Sequence, residues 1–336
     1  MPKLKRFRDT LLDRLDPELL LLPRATPALV GVSGGLDSSC LLHLLLHAGF
    51  SQLTACHVDH ALRPCSAQDA LFVQTLCAQL SVPLLSTRWD VSDLARHHRI
   101  SLETAGRRAR HTFFRQCASQ TGTAVVLLAH HADDQVETLL ARLFRGSGTR
   151  GLAGMRATQN LWDPAIPLQI RRPMLRIWRN ELEQLASEEK IPFREDPTNT
   201  DPKPTRNRIR LQVLPDLERI FGPALRSRLL QTTSLLRAED DLLESLLPEA
   251  TAELSVRTLQ TLPLAVQRRT LHRWLTEQVL GEIGFGCVES VRTLLHSKCA
   301  KVNLPAGHHA RRTSGKLWIQ KPALSSPSGL HASANE

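Results

Sequence analysis

From about residue 28 to about residue 170 the chain alternates short apolar runs with longer stretches of helical spacing, and this rhythm constrains the fold more than any other feature. Residues 28–32, 53–58, 83–87, 124–129 and 168–171 read as strands. Residues 38–48, 66–80, 102–119 and 133–144 read as the helices between them, with another at 180–189. Strands that alternate with helices need crossover connections, which make parallel neighbours. The expected fold is therefore α/β, a doubly wound parallel sheet, with its ligands beyond the carboxyl ends of the strands.

Around this region the sequence divides into further parts. Residues 1–27 read as an amphipathic N-terminal helix, and 28–215 as the nucleotide-binding catalytic domain. Prolines at 192, 197, 202 and 204 mark an irregular loop. Residues 216–322 form a smaller, mostly helical C-terminal domain, and the helical stretch 209–247 that leads into it is expected to break at Pro215 and Gly222-Pro223. Turn signals at 305–307 and 314–315 between apolar runs predict a terminal hairpin, and 323–336 a disordered tail.

Composition narrows the setting. No apolar run reaches the ~18–20 residues that a spanning helix needs, so no membrane role is expected. Seven cysteines at 40, 56, 65, 77, 117, 287 and 299 contain no C-x-x-C pair, which argues against a disulfide framework or structural zinc and fits a reducing cytoplasm. Lys and Arg number 43 against 33 Asp and Glu, a net charge of +10 that favours polyanions. With no tyrosine and 4% aromatics, any nucleic-acid contact should lean on arginine.

The sharpest motif is Ser33-Gly34-Gly35-Leu36-Asp37-Ser38, between a strand and a helix. Two residues without Cβ let backbone N–H groups converge on an anion, and the helix N-terminus adds partial positive charge. The Gly-Lys-Ser/Thr ending of a Walker A loop is missing, so the cradle suits pyrophosphate rather than γ-phosphoryl transfer. Asp37 would repel phosphate unless a cation lies between them, which implies Mg²⁺. The plain alternative is a serine-rich turn capping a helix.

A second motif runs from His130 to Glu137 after the strand at 124–129. Asp134 and Glu137 are three apart and share one helical face, where paired carboxylates need a metal or an ammonium ion. Taken alone they could be acidic first-turn residues that complement the helix dipole. Weaker signals are 57–63 at the end of the second strand, Glu103, Arg107 and Arg110 on one helix face, and the basic segment Arg206-Asn207-Arg208-Ile209-Arg210.

Together these segments resemble the tRNA(Ile)-lysidine synthases of the PP-loop ATP pyrophosphatase superfamily. SGGLDS at 33–38, HVDHALR at 57–63, HHADDQVETLLARLFRGSGTRGLAGM at 130–155, RRPML at 171–175, DPTNTD at 196–201 and RNRIR at 206–210 carry the resemblance in order. Residues 262–275 and 301–319 resemble the family's first C-terminal module more loosely. His111 and Thr205 stand where the family often has an aromatic residue.

The resemblance implies a ligase that uses ATP and Mg²⁺. It would adenylate C2 of the wobble cytidine in the CAU anticodon of tRNA(Ile), and free L-lysine would then displace AMP. Ser33, Gly34, Gly35, Leu36, Asp37 and Ser38 would bind ATP, and Asp37 with Asp134 the metal. Asp134 and Glu137 would grip the lysine ammonium, while Arg110, His130 and Arg206 neutralise charge on the adenylate. Arg208, Arg210, Arg268, Arg269 and Arg273 would contact tRNA. A homodimer is compatible with the sequence. Lysine must also lose a proton, which at pH 7 costs roughly 4–5 kcal/mol for a pKa near 10.4. The rival readings are a tRNA thiolase of the same superfamily, which would need reactive cysteines, and a non-catalytic tRNA-binding protein.

Overall fold

The computed structural model describes residues 6–61, 66–163, 166–195, 201, 204–279, 281–297 and 299–322. The chain forms two compact units, Met1–Arg237 and Ala238–Glu336. The division falls within the helix Leu225–Ser245 rather than at 215/216.

The first unit is built on a six-stranded sheet. Its strands are β1 Ala28–Gly31, β2 Leu53–Asp59, β3 Leu84–Arg88, β4 Val125–Leu127, β5 Thr158–Leu161 and β6 Leu168–Arg171, in the order β3-β2-β1-β4-β6-β5. Every pairing is parallel except β5 with β6. The expected doubly wound α/β architecture is present. Among the six strands only the edge strand β5 lacked a signal, because its sequence TQNL has no apolar alternation, and the helix Val91–His98 was likewise not anticipated.

Burial follows from the sequence pattern. Leu29 and Val30 on the central β1 are fully buried and point to opposite faces, into separate apolar clusters. The helix Leu36–His47 is apolar nearly all round, and Leu41, Leu42, Leu44 and Leu45 are all inaccessible.

The N-terminal segment is not one helix. It forms Phe7–Leu12 and Pro17–Leu20, separated where Pro17 cannot continue a helical hydrogen-bond ladder. Leu11, Leu15 and Leu19 are at most 1% exposed and pack into the core of the first unit, so Phe7–Leu12 and Pro17–Leu20 are no independent element. Asp16 N–H donates to Pro173 O at 2.9 Å and secures the entry.

Residues Thr205–Phe221 are helical throughout. A π turn at Ile209–Val213 joins two α segments, and Pro215 lies in the first turn of Leu214–Phe221, where its missing donor is not needed. The break expected at Pro215 is thus absent.

In the second unit β7 Leu254–Ser255, β8 Lys301–Asn303, β9 His309–Thr313 and β10 Lys316–Gln320 pair antiparallel in the order β7-β10-β9-β8. Ser314 and Gly315, at φ +50° and +74°, make the two-residue β9–β10 turn that the sequence announces. Helices Val256–Thr261, Leu264–Gln278 and Phe285–Thr293 complete the unit around Leu271, Trp274, Leu275 and Leu317. Residues 62–65, 196–200 and the tail 323–336 lie outside the described residues, and with them Leu62, Arg63 and most of the DPTNTD segment.

Candidate functional site

β1 and the helix Leu36–His47 position the glycine loop, as their sequence periods require. Gly34 has φ +85°, and a Cβ there would lie 3.0 Å from Val73 and 3.2 Å from Phe72. The loop closes on its own serines. Ser33 N–H donates to Ser38 Oγ at 3.1 Å, the two hydroxyl oxygens are 3.1 Å apart, and Gly35 N–H donates to Ser33 Oγ at 3.3 Å. Arg194 N–H holds the loop from outside by donating to Gly34 O at 2.9 Å. A Gly34→Ala variant combines a left-handed backbone, worth about 1–2 kcal/mol of strain, with that crowding. It is expected to weaken a non-hydrolysable ATP analogue at least tenfold in an equilibrium titration. Wild-type affinity would show that the loop bears no ligand.

The helix Ala132–Phe144 follows β4 at the same end of the sheet and faces this loop. His131, at its N-cap and 1% exposed, is the hub. Its Nε2 lies 3.7 Å from Asp37 Oδ2 and 3.6 Å from Asp134 Oδ2, and its Nδ1 is 3.5 Å from Asp133 Oδ2. Burial alone would lower the His131 pKa, but the three carboxylates outweigh it and raise it. Burial raises the pKa of Asp37, opposed by His131 and Arg179. Burial also works against ionised Asp134, yet His131 and Arg206 hold its pKa below the ordinary value.

Asp37 Oδ1 is buried and without a hydrogen-bond partner. That orphan oxygen, with Asp134 across the same imidazole edge, fits a divalent ion. Among the described residues no three side chains form a ready-made metal cage. The pair therefore suits Mg²⁺, which is commonly held by one or two carboxylates with substrate phosphates completing its shell.

Asp134 and Glu137 do share a face, and arginines from Thr205–Val213 occupy it. Arg206 donates through Nε to Glu137 at 2.8 Å and through Nη2 to Asp134 at 2.7 Å, while Arg210 Nε donates to Glu137 at 2.6 Å. Arg210, expected on the tRNA surface, is instead drawn into this cluster. Arg208 is exposed. Asn207 Nδ2 donates to Asp201 O at 2.8 Å and ties the segment back to the preceding loop.

His130 also departs from expectation. Burial, with Arg172, Arg206 and Arg110 nearby, overcomes the pull of Asp134 and pushes its pKa down to about 3. It is neutral near pH 7 and can act through a hydrogen bond, not as a cation. Arg110 has an exposed side chain beside this region. On β2, His57 Nδ1 donates to Val32 O at 2.9 Å, and Asp59 accepts from Ala61 N–H at 2.9 Å. Both serve to shape the strand ends.

Three residues of this network escaped sequence reasoning: His131, Arg179 and Arg226. Asp133 stood among the acidic candidates without an assigned role. Asp133 accepts from Arg179 N–H at 2.9 Å and from Arg226 Nη1 at 2.6 Å, and Arg179 Nη1 is 3.5 Å from Asp37. His131 and Asp133 stood inside the second motif. Arg179 and Arg226 are far along the chain, and no local spacing links them to it.

In the second unit the expected tRNA residues divide. Arg268 is half-exposed, donates to Glu289 at 2.7 Å and lies over the Phe285 ring at 5.3 Å. Arg269 is 9% exposed and pairs with Asp240 and, at 3.5 Å, Glu244, so it is an internal tie and not a free phosphate contact. Arg273 is turned to Pro248 O and to Glu244 at 3.6 Å. Arg269→Ala would remove a guanidinium that pairs with Asp240, which is 2% exposed. It is expected to destabilise this unit by about 3–5 kcal/mol in urea unfolding. A change below ~1 kcal/mol would return Arg269 to the surface role.

A family profile described as the PP-loop domain matches residues 9–217, more than half of the chain, and one described as the TilS substrate binding domain matches 254–318. The chain is 36% identical to the tRNA(Ile)-lysidine synthase of Geobacter sulfurreducens, over 82% of this chain and 61% of that protein. It is 37% identical to the tRNA(Ile)-lysidine synthase of Solibacter usitatus, over 90% of this chain and 69% of that protein. The chain thus spans about two thirds of the length of these relatives. Among solved structures the U34-tRNA thiolase NcsA from Methanococcus maripaludis superposes with a TM-score of 0.55 at 14% identity, covering 69% of this chain and 78% of that one, a likeness of fold alone. With two profiles matched in order and identity above one third across most of its length, the chain belongs to the tRNA(Ile)-lysidine synthase family of PP-loop proteins.

Proposed function

We propose that this chain joins free L-lysine to C2 of the wobble cytidine in the CAU anticodon of tRNA(Ile), through an adenylated tRNA, releasing pyrophosphate and AMP. One observation carries the reading: a lysine-free anion cradle and a buried carboxylate–arginine cluster meet through His131 in one unit. Ser33, Gly34, Gly35, Leu36 and Ser38 would hold the ATP phosphates. Asp37 and Asp134 would hold Mg²⁺, which when bound neutralises phosphate charge. Arg110 and Arg206 supply fixed positive charge to the adenylate.

The lysine ammonium would compete for Asp134 and Glu137 with the guanidiniums that they hold. Exchanging one cation for another leaves the buried carboxylates paired throughout, which avoids the several kcal/mol that an unpaired buried charge costs. Neutral His130 can direct the reacting groups by hydrogen bonding. In the second unit Arg268, and in the first Arg208, are the proposed tRNA contacts that keep exposed side chains.

Beside the glycine loop the thiolase alternative finds no reactive thiol. Cys40, nearest the loop, is inaccessible, and burial with Asp37 beside it pushes its pKa up to about 12. The six described cysteines are free, and none of the described helices is long and apolar enough to cross a membrane.

The direct test combines ATP, labelled lysine and CAU-anticodon tRNA and scores incorporation into RNA. Incorporation that requires ATP supports the reading. Sulfur transfer would favour the thiolase, and tight RNA binding without turnover the non-catalytic protein.

A further inference from the structure

Most buried or half-buried arginines of the first unit face a carboxylate. Arg179 has Asp37, Arg206 and Arg210 have Glu137, and Arg226 has Asp133 and Glu218. A second group differs. Among the described residues no carboxylate pairs with Arg107, Arg142, Arg145 or Arg172. Two of them are fixed in place by neutral acceptors. Arg142 Nη1 donates to Gly151 O at 2.7 Å and Gly154 O at 3.0 Å. Arg172, 6% exposed, donates to Arg156 O at 3.0 Å and Gln159 Oε1 at 2.9 Å, while its Nε is buried with no partner. Carbonyl oxygens orient these guanidiniums without cancelling their charge.

The group is close enough to repel itself. Burial first, and then Arg107, Arg142 and Arg237, push the Arg172 pKa down to about 10. Burial, Arg107 and Arg145 likewise lower that of Arg142. Fixed and uncompensated like charge is costly unless an anion completes it. Arg107 and Arg145 are exposed, so an anion can reach them.

The next chain segment carries a different feature. Phe144, between Arg142 and Arg145 at the end of the helix Ala132–Phe144, is 64% exposed. Beyond it Gly146 and Gly148 have nothing within 4 Å of where a Cβ would be, so a bulky backbone can approach. In a chain with 4% aromatics, an open phenyl ring that directly precedes an exposed arginine with no carboxylate partner among the described residues has the composition of a single-strand nucleic-acid grip.

We infer that the exposed Arg107 and Arg145 hold the phosphates of the single-stranded loop of an RNA substrate, with Arg142 and Arg172 fixed behind them as uncancelled positive charge, while an unstacked base lies on Phe144. This rests on the proposed function for the presence of RNA, and adds where on the first unit its loop is held. A duplex would satisfy the guanidiniums but offer no free base face to the ring. An acidic peptide would supply charge without stacking.

The test is fluorescence anisotropy of the full chain with a CAU anticodon stem-loop across a salt series, comparing wild type with R107E, R145E, F144A and F144W. Each charge reversal is expected to weaken binding about tenfold or more and to reduce the log–log salt slope by at least ~0.7. F144A should weaken binding about tenfold with an unchanged salt slope, and F144W should restore it. Affinity for an ATP analogue should stay at the wild-type value in all four variants. Wild-type protein that binds and lysinylates the stem-loop, with R107E, R145E and F144A equal to it, would overturn this inference alone. Wild type that neither binds nor modifies the stem-loop would overturn the proposed function beneath it. Equal binding of polyglutamate, competing with RNA at the same residues and insensitive to F144A, would overturn the single-strand assignment.

Discussion

Replacing Arg206 and Arg210 together with alanine is expected to cost the first unit about 3–5 kcal/mol and to abolish lysine transfer. The cost arises on the acidic side. Glu137 is 1% and Asp134 8% exposed, and without the guanidiniums the Glu137 carboxylate would be left charged, dry and without its ion-pair partners. The reverse change, Glu137→Ala, should cost less, roughly 1–2 kcal/mol. The guanidinium side chains, 40% and 24% exposed, can turn to water when their acceptor is removed. Urea unfolding of the three proteins reads this asymmetry. A larger loss for Glu137→Ala than for the double variant would mean that the arginines, not the carboxylates, are the trapped charges.

Asp37→Asn keeps shape and volume but removes the charge that a divalent ion would need. Lysine transfer is expected to fall at least a thousandfold, with tRNA affinity within about threefold of wild type. An independent readout comes from ATP-analogue binding with and without Mg²⁺. Wild type should bind more tightly with the ion, and the variant should respond little. A variant that keeps both activity and Mg²⁺ dependence would remove Asp37 from the metal role.

The sheet was legible because burial on both faces writes long apolar runs, as in 28–32 and 124–129, and because glycines punctuate them. Strand β5 was not legible, since an edge strand half open to water can be TQNL as readily as anything apolar. Pro215 misled for a related reason. Proline ends a helix only where its missing N–H was needed, and after a π turn it falls in a first turn, where it was not.

For the site, spacing found what lies on one element. Asp134 and Glu137 were seen as a pair because three residues separate them on a helix. Spacing could not say which cations they hold, because Arg206 and Arg210 come from a segment some seventy residues away. The same limit hid Arg179 and Arg226, whose roles depend on tertiary contact with Asp37 and Asp133. Residue type misled in two further cases. Arg269 looked like a phosphate contact until Asp240 appeared beside it, and His130 looked like a cation until its burial among arginines was seen.

The serine latch of the glycine loop has a kinetic consequence. A departing diphosphate normally strands the donors that gripped it, and those dry groups resist its exit. Here Ser33 and Ser38 have each other at 3.1 Å as default partners, so the cradle can relatch as the product leaves. Clearing the loop for the next nucleotide should therefore not set the pace of turnover, which falls instead to whichever step must rearrange the buried charges.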